Sequence, residues 1–256
     1  MILTSISDCK INFTRFPMIQ VKAVLFDLDD TLYDHRHSSR IGLSALKKKF
    51  TFLKDISLDE LEMLHIRLLN EIHISKVLTG EYTIDEARNE RYRILFSRYG
   101  VSADKQLTER ARLIYSEKYR SSMRAVPGTV ELLKSLRKKV KVGIVSNNFG
   151  KEQRTKINAC GLKGYFDTII TSFEAGFTKP SPEIFHLALH KLKCSADKSV
   201  MIGDSWNSDI IGAKSAGIRP IWFNRYGFEC PEKNSKIPEI RSLTPFEKVE
   251  KLIFVG

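Results

Sequence analysis

The feature that most constrains the fold is the stretch from Val21 to Phe26, an almost unbroken apolar run rich in β-branched and aromatic residues. Such a run is typical of a strand that is buried on both faces of a parallel sheet. Three carboxylates follow it directly, at Asp27, Asp29 and Asp30. In open α/β sheets, ligands bind at the carboxyl ends of the strands. Clustered like charges repel unless a cation or a polar ligand offsets them, so this position is predicted to be functional. The alternative is an acidic turn, since Asp favours turns.

The chain beyond residue 128 alternates between short apolar strands and helical segments. Strands are predicted over 140–145, 168–171, 199–202 and 220–223, and helices over 129–138, 151–160, 182–193, 209–216 and 245–253. Repeated βα units with short apolar strands predict an α/β fold with a doubly wound parallel sheet.

The segment between the first strand and these βα units reads as helical throughout, from residue 34 to about residue 123. Apolar residues recur at helical spacing, for example at Leu61, Leu64 and Leu68. An all-helical block of this length inside a βα pattern is predicted to be an insertion that lies outside the sheet.

The string DLDDTL, residues 27–32, resembles the first motif of the haloacid dehalogenase-like (HAD) superfamily, in which D-x-D-x-T follows an apolar strand. In that superfamily the first Asp is the nucleophile and the second is the general acid/base. Counting back from Thr31, the resemblance assigns these roles to Asp27 and Asp29 and makes Asp30 the variable position. The helical insertion is similar to the cap of HAD subfamily I.

This resemblance extends over residues 21–223 and implies a division of the chain. The expected units are an N-terminal extension (1–17), a Rossmann-like core (18–34 and 125–256) and a helical-bundle cap (35–124). No function is assigned to the extension.

Two further motifs of the family follow in order. Ser146 ends the predicted strand KVGIVS, and its hydroxyl is expected to hold a phosphate oxygen together with the backbone N–H of Asn147. Lys179 begins the string KPSPEIF and is expected to neutralise the nucleophile and the transferring group. Without the resemblance, a turn or helix cap at Ser146 would be the better interpretation, and one lysine among many would carry no information.

The fourth motif, G-D-x4-D, contains Asp204 and Asp209. Hard oxygen ligands of this kind suit Mg²⁺. The resemblance implies that Asp27, the backbone carbonyl of Asp29 and Asp204 bind the ion directly. It also implies that Asp209 acts through water or orients Lys179. The alternative is that this Asp pair caps the next helix.

These motifs predict a Mg²⁺-dependent phosphomonoester hydrolase that acts through an aspartyl-phosphate. Its substrate is expected to be a small phosphorylated metabolite such as a nucleotide, a sugar phosphate or phosphoglycolate. The alternatives are a 2-haloacid dehalogenase, which needs neither Asp29 nor a metal, and a phosphomutase, which shares the core motifs. A third alternative is a non-catalytic binding or regulatory protein, although such proteins usually lose a nucleophile or a metal carboxylate.

The cap is expected to select the substrate. Gly80-Glu81-Tyr82, Arg88 and Arg91 resemble a pattern of nucleotidase-like members, and they are candidate substrate-binding residues. The alternative is a solvated helix face. The stretch His35-Arg36-His37 follows the first motif closely and is a further candidate for contact with the substrate.

Composition restricts the remaining classes. The net charge of +12 raises the hypothesis of a nucleic-acid partner, but the lysines are dispersed, no aromatic-interleaved basic stripe occurs, and a cap would restrict large substrates. The four scattered cysteines indicate free thiols in a reducing cytoplasm. No apolar run reaches the ~20 residues of a membrane span. A monomer or a homodimer is expected.

Overall fold

The computed structural model describes residues 20–72, 76–77 and 80–255, so the predicted N-terminal extension lies outside the described residues. The strands are β1 (Ala23–Phe26), β2 (Lys141–Ser146), β3 (Thr168–Thr171), β4 (Ser199–Gly203), β5 (Arg219–Phe223) and β6 (Glu239–Ile240). The helices are α1 (His35–Lys49), α2 (Leu58–Ile72), α3 (Ile84–Ser97), α4 (Lys105–Ser121), α5 (Thr129–Leu136), α6 (Gly150–Ala159), α7 (Ser172–Ala175), α8 (Pro182–Leu192), α9 (Gly212–Ser215) and α10 (Phe246–Val255). A π-helical turn, Trp206–Ile211, runs directly into α9.

The strands form one parallel sheet in the order β3-β2-β1-β4-β5-β6. All four residues of β1 are fully buried, as its apolar composition predicts. Val24 and Phe26 pack on the side of α5 and α10, whereas Ala23 and Leu25 pack on the side of α8 and α9. Helices therefore cover both faces, which confirms the predicted doubly wound α/β sheet.

The helices α1 to α4 form a separate bundle between β1 and β2, which confirms the predicted helical insertion. Capping residues in the sequence define where α3 and α4 begin. Thr83 and Glu86 form a reciprocal capping box at α3, and the Asp104 carboxylate accepts a hydrogen bond from the first turn of α4. The bundle has its own apolar core, which includes Leu61 and Leu68.

Two antiparallel segments connect the bundle to the sheet. Tyr33 pairs with Ala125, and the Asp34 N–H donates to the Arg124 carbonyl at 3.0 Å. The buried Asp34 carboxylate also forms ion pairs with Arg124 and Arg225 at 2.8 and 2.9 Å. The connection between the bundle and the sheet is therefore stabilised by ion pairs as well as by backbone hydrogen bonds.

The boundaries of the predicted elements hold to within a few residues, and the short helix α7 was not predicted. Two further differences concern the end of the chain. The helix predicted over 209–216 begins at Trp206 as a π-helical turn, and the two-residue strand β6 was not predicted. A strand of two residues carries no measurable periodicity, so pattern analysis cannot detect it. Among the described residues, every helix is too short or too polar to cross a lipid bilayer.

Candidate active site

The carboxyl ends of the central strands bring the first and fourth motifs together. Asp27 follows β1 and Asp204 follows the neighbouring strand β4. The Asp27 N–H donates to the Ile202 carbonyl at 3.0 Å, which continues the pairing of the two strands into the motif. Parallel register thus places two carboxylates from distant parts of the sequence at one edge of the sheet.

Asp27, Asp204 and Asp209 form an acidic cluster in which one potential ligand atom of each residue lies within 4.8 Å of the others. The Lys179 ammonium joins two of them, with Nζ 2.6 Å from Asp27 Oδ1 and 2.7 Å from Asp209 Oδ1. Its third hydrogen bond goes to the Val145 carbonyl at 2.8 Å. Lys179, Asp27 and Asp209 are all buried, so water screens these charges little.

The single positive charge of Lys179 does not balance the three carboxylates, and the directions of the pKa shifts are consistent with this excess of negative charge. Burial raises the pKa of Asp27 to about 7, Lys179 opposes that rise, and Asp209 and Asp29 add to it. Burial, followed by the charges of Asp27 and Asp209, also raises the pKa of Asp204 well above its usual range. Burial alone would lower the pKa of Lys179, but Asp209 and Asp27 outweigh it and raise that pKa. The cluster has the hard oxygen donors and the uncompensated negative charge that suit a divalent cation.

Backbone geometry at the end of β4 fixes this cluster. A Cβ on Gly203 would lie 2.3 Å from Asp209 Oδ2, so only glycine permits this close approach. The Ser205 N–H donates to the same oxygen at 3.0 Å. The Asp204 N–H donates to Thr31 Oγ1 at 3.1 Å, which ties the first motif to the fourth.

Asp29 points away from the acidic cluster. Its carboxylate accepts hydrogen bonds from Lys156 Nζ at 2.6 Å and from Gln153 Nε2 at 2.8 Å, and His35 Nδ1 lies 3.8 Å from Oδ1. Burial alone would raise the pKa of Asp29, but the charges of Lys156 and His35 and the hydrogen bonds outweigh it and lower that pKa. In this arrangement Asp29 is held as a carboxylate, the form that accepts a proton.

The second motif lies beside this pair. Ser146 is buried, and its Oγ accepts a hydrogen bond of 2.5 Å from Gln153 Nε2, the nitrogen that also contacts Asp29. The Asn147 side chain accepts from the Lys179 N–H at 2.7 Å and donates to the Lys179 carbonyl at 2.8 Å. Asn147 therefore positions the segment that carries the lysine, a contact that its expected backbone role did not anticipate.

A cavity of about 720 Å³ extends from this site between the helical bundle and α6. Its lining includes His35, Asn148 and Lys156, all of which approach the Asp29 carboxylate within 2.6 to 3.8 Å. The predicted cap residues Arg88 and Arg91 also line it. The cavity thus connects the residues around Asp29 to the insertion that was expected to select the substrate.

The two arginines differ in their partners. Arg88 forms ion pairs with Asp85, at 3.2 Å within α3, and with Glu152 on α6. Arg91 is buried, its guanidinium forms no ion pair with any described residue, and its Nε has no hydrogen-bond partner among them. Tyr82, from the same predicted pattern, packs against the core of the bundle.

Comparison with known proteins identifies the family. The family model for haloacid dehalogenase-like hydrolases matches residues 21–217. The protein belongs to this family. A glyceraldehyde 3-phosphate phosphatase of Methanothermobacter thermautotrophicus is 32% identical over 206 residues, covering 80% of this chain and 86% of the relative. The human N-acylneuraminate-9-phosphatase is 29% identical over 227 residues, covering 86% of this chain and 88% of the relative.

A solved member shares the HAD architecture. The magnesium-bound structure of the HAD-hydrolase YfnB from Bacillus subtilis is 25% identical, with a TM-score of 0.71 over 91% of this chain and 99% of that one. The family membership and the hydrolase class predicted from the motifs are thereby confirmed. The roles of individual residues remain predictions.

Two residues of this HAD site were not predicted from the sequence, Gln153 and Lys156. Both lie on α6 and both donate to Asp29. Together with Ile157 they occupy one buried face of the helix, at the spacing i, i+3 and i+4. Polar residues on a helix face that should be apolar are the signal that could have identified them.

Proposed function

We propose that the protein is a Mg²⁺-dependent phosphomonoester hydrolase that acts through an aspartyl-phosphate. The observation that carries this proposal is the buried arrangement of Asp27, Asp204 and Asp209 around Lys179 Nζ at the carboxyl edge of the sheet. The named activities of the phosphatase relatives support it, as does the magnesium bound to the YfnB structure.

Asp27 is the proposed nucleophile. One of its carboxylate oxygens attacks the phosphorus, the bond between phosphorus and the ester oxygen breaks, and the alcohol leaves with a proton from Asp29. Lys179 and the Ser146 hydroxyl are proposed to stabilise the negative charge on the transferring group and to hold its orientation.

The second half-reaction regenerates Asp27. Asp29 takes a proton from a water molecule, the water oxygen attacks the phosphorus of the aspartyl-phosphate, and phosphate and the free Asp27 carboxylate result. The contacts of Asp29 with Lys156 and Gln153 favour the ionised form required for this step. Delivery of a proton in the first step requires that these contacts loosen when substrate binds.

Asp27, Asp204 and the backbone carbonyl of Asp29 are the proposed inner ligands of Mg²⁺, with Asp209 holding Lys179 and the cluster in place. The ion would neutralise the excess charge of the cluster and of the phosphoryl oxygens.

The proposed core comprises residues 18–34 and 125–256, and the proposed cap comprises residues 35–124, with their boundary at the paired Asp34 and Arg124 segments. The cap is proposed to admit a small phosphorylated metabolite. Dehalogenation is the less favoured function, because that chemistry does not require a carboxylate at Asp29, whereas here Lys156 and Gln153 hold one beside Ser146.

The test is hydrolysis of p-nitrophenyl phosphate with Mg²⁺, with EDTA, and by Asp27→Asn. Loss of the nucleophile is expected to lower kcat by about 10³-fold or more while the protein stays folded. Asp197→Asn is the matched control, because Asp197 is exposed before β4 at the opposite edge of the sheet.

Metal-dependent turnover that Asp27→Asn loses and Asp197→Asn keeps is the expected result. Retention of most activity by Asp27→Asn would overturn the mechanism. Release of halide from a 2-haloacid in place of phosphate release would favour the dehalogenase alternative, and transfer of the phosphoryl group to a second hydroxyl of the substrate would favour the phosphomutase.

A further inference from the structure

The cavity that leads away from Asp29 contains a buried charge with no opposing charge. Two of its lining cations are buried, Lys156 and Arg91. Lys156 forms an ion pair with Asp29 at 2.6 Å, whereas Arg91 forms none with any residue that the structure describes. A buried charge without a partner is costly for a fold, so its retention calls for a ligand that compensates it.

The groups around Arg91 are neutral and also lack partners. His65 Nδ1 and the Tyr92 hydroxyl are buried, and neither has a hydrogen-bond partner outside this group among the described residues. Both residues line the cavity. The Arg91 guanidinium lies 5.5 Å from the centre of the Tyr92 ring, and the rings of Tyr92 and His65 are 6.2 Å apart. Three adjacent polar side chains therefore converge from α2 and α3 on one part of the cavity.

The charge of this group indicates a monoanion. Burial, then the charges of Arg91 and His35, lowers the pKa of His65 well below 6.5, so the imidazole is neutral. Burial raises the pKa of Tyr92, which keeps the phenol protonated. The group carries a single positive charge, from Arg91. A carboxylate matches that charge and the planar fork of the guanidinium, whereas a phosphate dianion would leave an excess negative charge.

Two other arginines of the cavity are already compensated. Arg88 pairs with Asp85 and Glu152, and Arg112 pairs with Asp85 at 3.6 Å and with Glu109 at 3.4 Å. Arg120 also lines the cavity, but it is exposed to solvent. Arg91 is therefore the buried arginine of this lining that can take a new anion without displacing an acidic side chain.

We propose that the cavity holds the alcohol part of a phosphorylated hydroxycarboxylic acid, with its carboxylate on Arg91. This inference rests on the proposed function and adds the class of substrate: a phosphomonoester and water give a hydroxycarboxylic acid and phosphate. The cavity volume of about 720 Å³ leaves room for a carbon chain between the two anionic ends. Apolar residues such as Leu68 and Ile72 contribute to its wall.

The test compares substrates that differ only in the carboxylate. One pair is 6-phosphogluconate and glucitol 6-phosphate, and a shorter pair is 3-phosphoglycerate and glycerol 3-phosphate. Wild type, Arg91→Gln and Arg98→Gln are assayed with each substrate. The measured quantity is the ratio of kcat/KM for the acid to that for the alcohol. Arg98 is the matched control because it is exposed at the end of α3 and forms no ion pair among the described residues.

The wild type is expected to prefer the acid of at least one pair by about tenfold or more, as a hydrogen-bonded charge implies. Arg91→Gln should abolish this preference, and Arg98→Gln should keep it. A ratio near one for every pair, or an unchanged ratio in Arg91→Gln, would overturn the proposal.

A second measurement needs no activity. Arg91→Met removes a charge that the fold does not compensate, so its urea unfolding midpoint should equal or exceed that of wild type. A lower midpoint would show that the guanidinium serves the fold, and it would overturn the proposal. Hydrolysis of p-nitrophenyl phosphate is followed in parallel, because absence of that reaction would refute the proposed function and leave the stability comparison still interpretable.

Discussion

The acidic cluster and the cavity beside the helical bundle carry uncompensated charge of opposite sign. At the edge of the sheet, Asp27, Asp204 and Asp209 share the single charge of Lys179, so negative charge is in excess. In the cavity, the buried Arg91 has no acidic partner among the described residues, so positive charge is in excess. The proposed tasks of the two regions follow this difference, with a metal and a phosphoryl group at the acidic cluster and an organic anion in the cavity.

The largest expected effect comes from the charge centre of the acidic cluster. Lys179→Met should lower kcat/KM for p-nitrophenyl phosphate by about 10³-fold, since a buried charge that stabilises the transition state is lost. It should also lower the free energy of unfolding by about 3–5 kcal/mol, because two carboxylates stay buried without their partner. Urea unfolding and steady-state kinetics measure both effects.

Lys139→Met is the matched control. The Lys139 ammonium lies 2.7 Å from Glu250, the same length as a contact of Lys179, but its side chain is 46% exposed. Its loss should cost about 0–1 kcal/mol and no activity. Equal effects of the two substitutions would show that burial of the acidic cluster has no special role.

A smaller effect is expected at the junction of the two regions. Lys156→Gln should lower kcat by about 10- to 100-fold and change KM less, because Asp29 loses the cation that orients and ionises it. Without Lys156 the pKa of Asp29 rises, so the acidic limb of the pH–rate profile should move to higher pH. Lys163→Gln, at an exposed position after α6, is the control. An acidic limb that stays in place would contradict the role of Lys156.

Each region contains a closely packed glycine, so the same substitution, Gly to Ala, can be used to perturb either region. A Cβ added at Gly203 would lie 2.3 Å from the Asp209 carboxylate. A Cβ added at Gly42 would lie 2.6 Å from the Tyr115 ring. Each substitution to Ala should cost about 1–3 kcal/mol of stability. Gly203→Ala should lower turnover of all phosphomonoesters, whereas Gly42→Ala, through the cavity-lining Tyr115, should change mainly the KM values of the larger ones. Identical kinetic profiles would show that the regions are not separable.

The smallest effect concerns the buried imidazole of the cavity. His65 has a lowered pKa in the folded state, so only the unfolded chain gains a proton as the pH falls below about 6.5. Its contribution to stability is complete above that pH and is lost below it, by about 1.4 kcal/mol per pH unit. Arg91 and His35 disfavour the charged form, and Tyr92 and Tyr115 pack against the ring.

Urea unfolding between neutral pH and about pH 5 measures this dependence. His65→Gln should reduce the slope of stability against pH, and His190→Gln, at an exposed position on α8, should not. Equal slopes in wild type and His65→Gln would indicate that the imidazole is solvated in the folded protein.

Sequence analysis was most informative about the candidate site residues that lie at the carboxyl ends of strands. Asp27, Ser146 and Asp204 each directly end or follow a short apolar strand, and parallel strands bring such positions to one edge. The βα order therefore predicts that these positions lie at one edge of the sheet, whereas their selection as site residues depended on the resemblance to the HAD motifs.

The remaining parts of the site depend on packing that periodicity does not reveal. The contacts of Lys156 and Gln153 with Asp29 require the rotation of α6 relative to β1, which depends on the whole core. Arg88 and Arg91 looked alike in the sequence. They differ because Asp85 and Glu152 form ion pairs with Arg88, whereas no acidic residue in the described part of the chain pairs with Arg91.

The most direct test of the central claim is to trap the phosphoryl group on the enzyme. Acid quenching during turnover and peptide mass analysis should show the phosphoryl group on Asp27. Borohydride reduction of a parallel sample should release that group as phosphate and convert the residue to homoserine. Asp27→Asn should show neither product. Active protein that carries no phosphoryl group at Asp27, or carries one on a different residue, would contradict the account.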